Sequence, residues 1–285
     1  MSCPAPCELV SQRVEAVRGD FRQGESGLCH STESPIFPPM ETRALSPRVL
    51  ARASVDRIVE RFALAEDAAD DGGPRLELQA PGNGKRAGVC RSWTGGPIER
   101  LVYVALEIDA IGLDSHMLYA FTTPESAVPH FTLDAVAAPG TCAFRLDLVP
   151  RVDLGAHLEY VRYCYDILTD TTLDVASWEG LSPASLTPLQ YSMTSPWMLV
   201  HRVTESDFAR VGEPVGEYLA HWFALVEDGL PPHVSSSLDM SWLPERDRRL
   251  RAALFDPAVD PAWGQMDSLV GADDSAAIRS ILRGD

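Results

Sequence analysis

A single lysine, Lys85, stands among the 24 basic residues of this 285-residue chain, against 41 acidic ones. At a net charge of −17 and without a clustered basic patch, nucleic acid is excluded as a partner, because a phosphate-binding surface needs concentrated positive charge. An anionic membrane surface is excluded on the same ground. No apolar run approaches the roughly 20 residues that a membrane span needs. The opening stretch MSCPAPCELVSQRVEAV has no basic flank followed by an apolar run, so no secretory signal is expected and the cytoplasm is the expected compartment.

Other chemistries are missing too. The six cysteines (Cys3, Cys7, Cys29, Cys90, Cys142 and Cys164) are scattered and trace no disulfide framework. Cys3 and Cys7 lack a third or fourth ligand at zinc spacing, and Cys29 is merely adjacent to His30, so no metal site is expected. GNGKRAG (82–88) has glycines but not phosphate-loop spacing. No dinucleotide fingerprint follows a strand, and no Gly-x-Ser-x-Gly nucleophile elbow occurs.

What is present is patterned. Hydrophobic residues make up 45%, and the length suits one large domain. The Ala, Arg, Pro and Asp bias fits a GC-rich genome and an expected bacterial source, and makes arginine the carrier of positive charge, suited to bidentate carboxylate pairing. Residues 1–45, with SPIFPPM, read as an irregular extension, and 46–285 as a single domain. SPRVLARASVDRIVERFALAEDA (46–68) predicts a helix: Ser46 can cap, Pro47 suits the first turn, and Val49, Ala53, Val55, Ile58, Val59 and Phe62 recur at helical spacing. Six strand-like runs follow at 75–80, 86–93, 99–108, 113–121, 130–137 and 141–150, separated by turn residues. Short connections predict an antiparallel meander. Helical patterns then cover 154–169, 213–229, 244–256 and 274–284, so the expected class is α+β, a central antiparallel sheet between helices in an α/β/α sandwich.

The acids are the candidates for chemistry. Asp114 and Asp134 each follow a leucine inside a strand-like run. In HFTLD, strand alternation puts His130, Thr132 and Asp134 on one face and Phe131 and Leu133 on the other. That polar face is either solvated or the floor of a cleft. Helices at both ends of the chain favour a cover, and a covered carboxyl has its pKa raised toward neutrality, as a proton donor needs. Two Asp-Pro pairs, at Asp256 and Asp260, read as turn chemistry or as a second acid.

Taken together, these segments resemble the red chlorophyll catabolite reductases and the ferredoxin-dependent bilin reductases. The resemblance rests on Pro129, Phe131 and Asp134, on Leu146-Asp147-Leu148 and Pro150-Arg151-Val152-Asp153, on Tyr160, Tyr163 and Tyr165, and on the Asp-Pro-Ala segment from Asp260 to Gly271. It covers roughly residues 75–284. It implies an α/β/α sandwich with an open-chain tetrapyrrole held between sheet and C-terminal helices, reduced by single electrons from ferredoxin without organic cofactor or metal. Asp134 is then the central proton donor and Asp260 the second, with Asp256 in reserve. The bilin reductases' catalytic His aligns with Met117, while His116 faces away. The red chlorophyll catabolite reductases also lack that His, which sets this chain nearer them, and His130 is the local candidate to replace it.

Asp114, Arg202, Arg151 and Arg251 are the substrate-binding candidates, the arginines through bidentate pairing with acidic groups. A charge of −17 suits an acidic ferredoxin poorly, except through local patches such as Arg248, Arg249 and Arg251 or Arg86 and Arg91. Two alternatives keep the fold: a secondary-metabolism tailoring enzyme acting on another conjugated or aromatic compound, and a non-catalytic pigment-binding protein.

Overall fold

Five hairpin-connected strands form the centre of a nine-stranded sheet in which every pairing is antiparallel. The computed structural model describes residues 45–285 apart from 83 and 185, so all but the last residue of the expected extension 1–45 lies outside the described residues. The strands are β1 (Ala65–Glu66), β2 (Leu76–Gln79), β3 (Arg86–Gly95), β4 (Ile98–Ile108), β5 (Leu113–Thr122), β6 (His130–Ala138), β7 (Thr141–Val149), β8 (Ser182–Pro183) and β9 (Leu199–Val203). Their order is β1-β3-β4-β5-β6-β7-β9-β8, with β2 also pairing with β3. The helices are α1 (Pro47–Phe62), α2 (Leu158–Tyr165), α3 (Thr169–Ala176), α4 (Pro188–Tyr191), α5 (Gly212–Asp228), α6 (Pro232–Ser235), α7 (Leu243–Leu254), α8 (Ala262–Val270) and α9 (Ala272–Arg283). This is the expected α+β architecture, a large antiparallel sheet flanked by helices.

Helix α1 starts as its sequence predicts, with the Ser46 hydroxyl accepting from the Val49 amide at 3.3 Å and Pro47 in the first turn. It stops sooner than expected. Ala63 adopts the left-handed conformation (φ 49°), and Ala65–Glu66 then pairs with Trp93 and Thr94 of β3. Its buried stripe is Leu50, Ala51, Ser54, Val55 and Ile58, so Val55 and Ile58 are buried as expected, while Val49 is exposed and Ala53, Val59 and Phe62 are half-buried. The small Ala51 and Ser54 on that stripe permit close approach to the sheet.

The two faces of the sheet are closed differently. On the back face Leu101, Leu118, Ala120, Phe131, Leu133, Leu146 and Leu148 are buried under α1 and α5. Trp222 of α5 packs on Phe131 at 5.7 Å and donates its indole N–H to the Pro129 carbonyl at 2.9 Å. On the front face Val102, Val104, Leu106, Tyr119 and Phe121 pack against Phe255, Trp263, Met266, Ile278 and Leu282 of the C-terminal helices. That cover lies over the β3–β5 half. Toward β6, β7 and β9 the same face has Asp134, Val136, Ala143, Arg145 and Val200 partly exposed and Arg202 exposed. The second half of the sheet therefore leaves a partly uncovered strip of this face beside the C-terminal helices, called the groove below.

One buried ionic cluster joins the helices to the sheet. Asp247 of α7, 2% exposed, has an oxygen 2.6 Å from Nε2 of His130, which is 1% exposed. It also takes Arg251 Nε at 2.8 Å and faces Arg151 Nε at 3.3 Å. Arg251 continues to Glu99 of β4. Arg151 reaches on to the carbonyls of Thr122, Thr123 and Pro124, holding the β5–β6 loop. Burial opposes the Asp247 charge, but His130, Arg151 and Arg251 outweigh it and hold its carboxyl well below the usual range. Burial and the Arg151 charge push the His130 imidazole down to about 3, so it stays neutral.

Asp247→Asn removes one partner of a buried ionic cluster and should cost about 3–5 kcal/mol in urea denaturation at neutral pH. Both shifts are downward in the folded state. Wild-type stability should therefore fall once pH drops below about 6.5, as the unfolded His130 takes up a proton, and fall further below about 4 as the unfolded Asp247 does. The penalty of the substitution should shrink over that lower range. An Asp247→Asn protein with wild-type urea midpoints at pH 7 would contradict the role given to the cluster.

Candidate functional site

Pro139 and Gly140 make the two-residue turn between β6 and β7, with Gly140 at φ 78°. Pairing Ala138 with Thr141 across it sets every later pair, so Asp134 falls opposite Arg145 and Thr132 opposite Asp147. On the other side Met117 of β5 is the partner of Asp134. Met117, Asp134, Arg145 and Val200 thus form one row across four strands of the front face.

Asp134 has few partners. Tyr119 Oη approaches its Oδ2 at 3.5 Å, while its Oδ1 is covered and accepts no hydrogen bond. Asp260, in the loop between α7 and α8, places Oδ2 at 4.0 Å from Arg145 Nη1. Its Oδ1 accepts the Ala262 amide at 2.9 Å, which fixes the carboxylate at the start of α8. Burial pushes the Asp134 carboxyl up to about 6; the Arg145 charge opposes this, Asp260 adds to it, and the Tyr119 hydroxyl opposes it weakly. A group with that affinity exchanges protons near neutral pH, as a general acid or base must.

Of the residues singled out from sequence, Asp134 and Asp260 come together around Arg145. Asp256 instead caps its own turn, accepting the Ala258 amide at 2.8 Å. His130 shares the face of Asp134, but Nε2 is engaged by Asp247 and Nδ1 accepts the Thr122 amide at 3.1 Å. Arg151 and Arg251 are buried in the Asp247 cluster, and only Arg202 of the three arginines lies exposed on the groove face. Asp114 lies on the back face, where His116 Nε2 bonds it at 2.9 Å and Arg48 at 3.3 Å. His116 does face away from Asp134, held also by Tyr103 at 2.7 Å. Glu107, Asp114 and His116 come close enough to share a cation, but the Arg48 guanidinium already bridges the two carboxylates.

Sequence reading gave no role to Arg145, Tyr119, Asp147 or Asp247. The Pro-Gly turn in AAPGTC carried a signal for Arg145, since a two-residue hairpin dictates the 134–145 pairing. Asp147, fully buried, accepts Ser195 Oγ at 2.6 Å and its amide at 3.1 Å, fastening the segment before β9 to β7. Burial drives its carboxyl up to about 6, against the Ser195 hydrogen bonds. No local pattern pointed to Asp247, whose bond to His130 spans 117 positions.

The fold recurs among solved structures. The crystal structure of phytochromobilin synthase from tomato in complex with biliverdin superposes with a TM-score of 0.67 at 19% identity, covering 84% of this chain and 83% of that one. At that identity the likeness shows the fold alone. No family model matches the sequence, and no curated protein does. Among the described residues no helix is long and apolar enough to cross a membrane.

A raised carboxyl pKa is also a statement about stability. Ionised Asp134 is penalised in the folded state above about pH 6, and the penalty is absent below about 4. Asp134→Asn should therefore stabilise the ligand-free protein by about 1–2 kcal/mol at pH 8 and by much less at pH 4.5, read from urea midpoints at the two values. A substitution that destabilises equally at both would show that Asp134 is an ordinary structural carboxylate.

Proposed function

We propose that the protein is an oxidoreductase that reduces an open-chain tetrapyrrole, with Asp134 delivering protons and Asp260 as the second acid. The observation that carries this reading is the partly buried Asp134, its proton affinity raised to near neutrality, on the floor of a groove opposite Asp260. The groove's composition agrees. Val136, Ala143 and Val200 offer apolar contact to a flat conjugated system, and Arg145 and Arg202 offer charge to acidic side groups. The fold it shares with a solved biliverdin complex adds support. Met117 beside Asp134, where the resemblance sets a histidine in the bilin reductases, supports reading the chain as nearer the red chlorophyll catabolite reductases.

In this scheme electrons arrive singly from a donor such as ferredoxin, and the chain supplies position and protons. A pigment that accepts an electron becomes more basic, and protonated Asp134 beneath it gives up its proton. Asp260, held over the groove by its turn, serves a second protonation from the facing side. His130 is neutral and fixes Asp247 rather than serving as an acid near pH 7.

Biliverdin added to the pure protein should shift its visible spectrum on binding, and reduced ferredoxin should then convert the bound pigment. Asp134→Asn should keep the spectral shift and lose on the order of 10²–10⁴ in turnover. Because the protonated acid is the active form, wild-type kcat/KM, which reads the ligand-free protein, should decline as pH rises through about 6 where proton delivery is limiting. Absence of a spectral shift with any open-chain tetrapyrrole would remove the substrate assignment. Full turnover by Asp134→Asn would remove the acid, and intact binding without turnover in the wild type would favour a pigment-binding protein.

A further inference from the structure

Arg145 is the least satisfied charge among the described residues of the groove. Its side chain is 14% exposed, its nearest carboxylate oxygen is that of Asp260 at 4.0 Å, and its Nε is covered without a partner. A guanidinium carries five donors, and burying them unpaired is costly, so native structures nearly always supply acceptors. One strand across, Asp134 Oδ1 is equally covered and equally unpaired. Those two covered atoms are beyond a ligand's reach, but the two terminal nitrogens of Arg145 are not covered and make no hydrogen bond, and it is these that a ligand would complete.

The groups acting on Asp134 are Arg145 on β7, Asp260 from the α7–α8 loop and the Tyr119 hydroxyl on β5, while Asp147 on β7 acts on Arg145 and Arg202 lies at the β9 edge. Asp147 has its own partners in Ser195. With Asp134 and Asp260 ionised, the trio around Arg145 carries one net negative charge, and the cation restrains Asp134 from taking up a proton.

We infer that Arg145 is the seat of a ligand carboxylate, and that seating it loads Asp134 with a proton from solvent. The inference rests on the tetrapyrrole reading above, in which the pigment's acidic side chains supply the carboxylate. A third anion brought to Arg145 leaves the corner with an excess of charge that poorly solvated surroundings cannot hold, and one proton relieves it. Asp134 receives it, being the acid that burial has already made the better proton acceptor. Binding and protonation are then linked, and each strengthens the other by the same factor. The substrate arms the acid that acts on it, and Arg145 is a positioning residue that acts through Asp134.

The test uses the full chain with biliverdin and its dimethyl ester at pH 7.5, titrated calorimetrically in two buffers of different ionisation enthalpy. The wild type should take up about one proton per biliverdin bound and almost none with the ester, which has no carboxylate. Arg145→Gln should bind biliverdin ~30-fold or more weakly and take up none, while its affinity for the ester changes little. Arg145→Lys should recover part of the uptake, which separates lost charge from lost folding. Proton uptake by Arg145→Gln equal to the wild type would overturn the inference.

A ligand-free arm stands apart from the substrate assignment. The Asp134 carboxyl, followed by carbon-13 NMR, should titrate at higher pH in Arg145→Gln than in the wild type. An unchanged midpoint overturns the coupling whatever the ligand. A raised midpoint in a protein that binds neither biliverdin nor its ester upholds the coupling and defeats the tetrapyrrole reading instead.

Discussion

The register of the β6–β7 hairpin is the constraint on which the candidate site depends. Because side chains alternate along a strand, a slip of one residue would carry Asp134 to the back face, under α1 and α5, and bring leucines into the groove. The Pro139–Gly140 turn forbids the slip, and the apolar back face enforces it: Phe131, Leu133, Leu146 and Leu148 have no other place to be dry. The polar row at the front thus follows from the packing behind it.

What the hairpin arranges, the Asp247 cluster holds in place. It sits at the end of the front face where α7 crosses the sheet, and it binds β4, β6, the β5–β6 loop and α7 together through Glu99, His130 and Arg151. The loop carrying Asp260 begins just past that anchor. The cluster thus anchors the helix that leads into that loop, while Asp260 itself is held by the Ala262 amide and faces Arg145. His130 illustrates the division of labour. It shares a face and a strand with Asp134, yet its environment makes it a neutral structural ligand for Asp247, whereas burial raises the Asp134 carboxyl to about 6, where it can exchange a proton.

Much of this was legible in the sequence, and the limits have physical causes. The six strands of the meander and the long helices announced themselves, because alternation and helical spacing are local properties read within one element. The short β1, β8 and β9 did not, since two to five residues hold too little pattern and their pairing comes from strands far along the chain. The same contrast governs the site. Asp134 and Asp260 stood out as acids in unusual settings, but their neighbours Arg145 and Tyr119 acquire meaning only once strands lie side by side. Arg151 and Arg251 look from sequence like ligand-binding arginines and are instead enclosed by their own carboxylate and carbonyls. Asp114 looks like a sibling of Asp134 and lies on the opposite face, because the two positions fall on different sides of their pleats.

Arginine is the cation at every buried ionic contact described above. A lysine confined in such surroundings can shed its proton and become neutral; a guanidinium cannot. Arg145, Arg151 and Arg251 are consequently permanent charges, present at any pH the fold survives. The proton traffic of the interior falls entirely to the acids and imidazoles set against them, so this chain, nearly devoid of lysine, keeps a fixed electrostatic frame within which only Asp134, Asp147 and their kind are free to titrate.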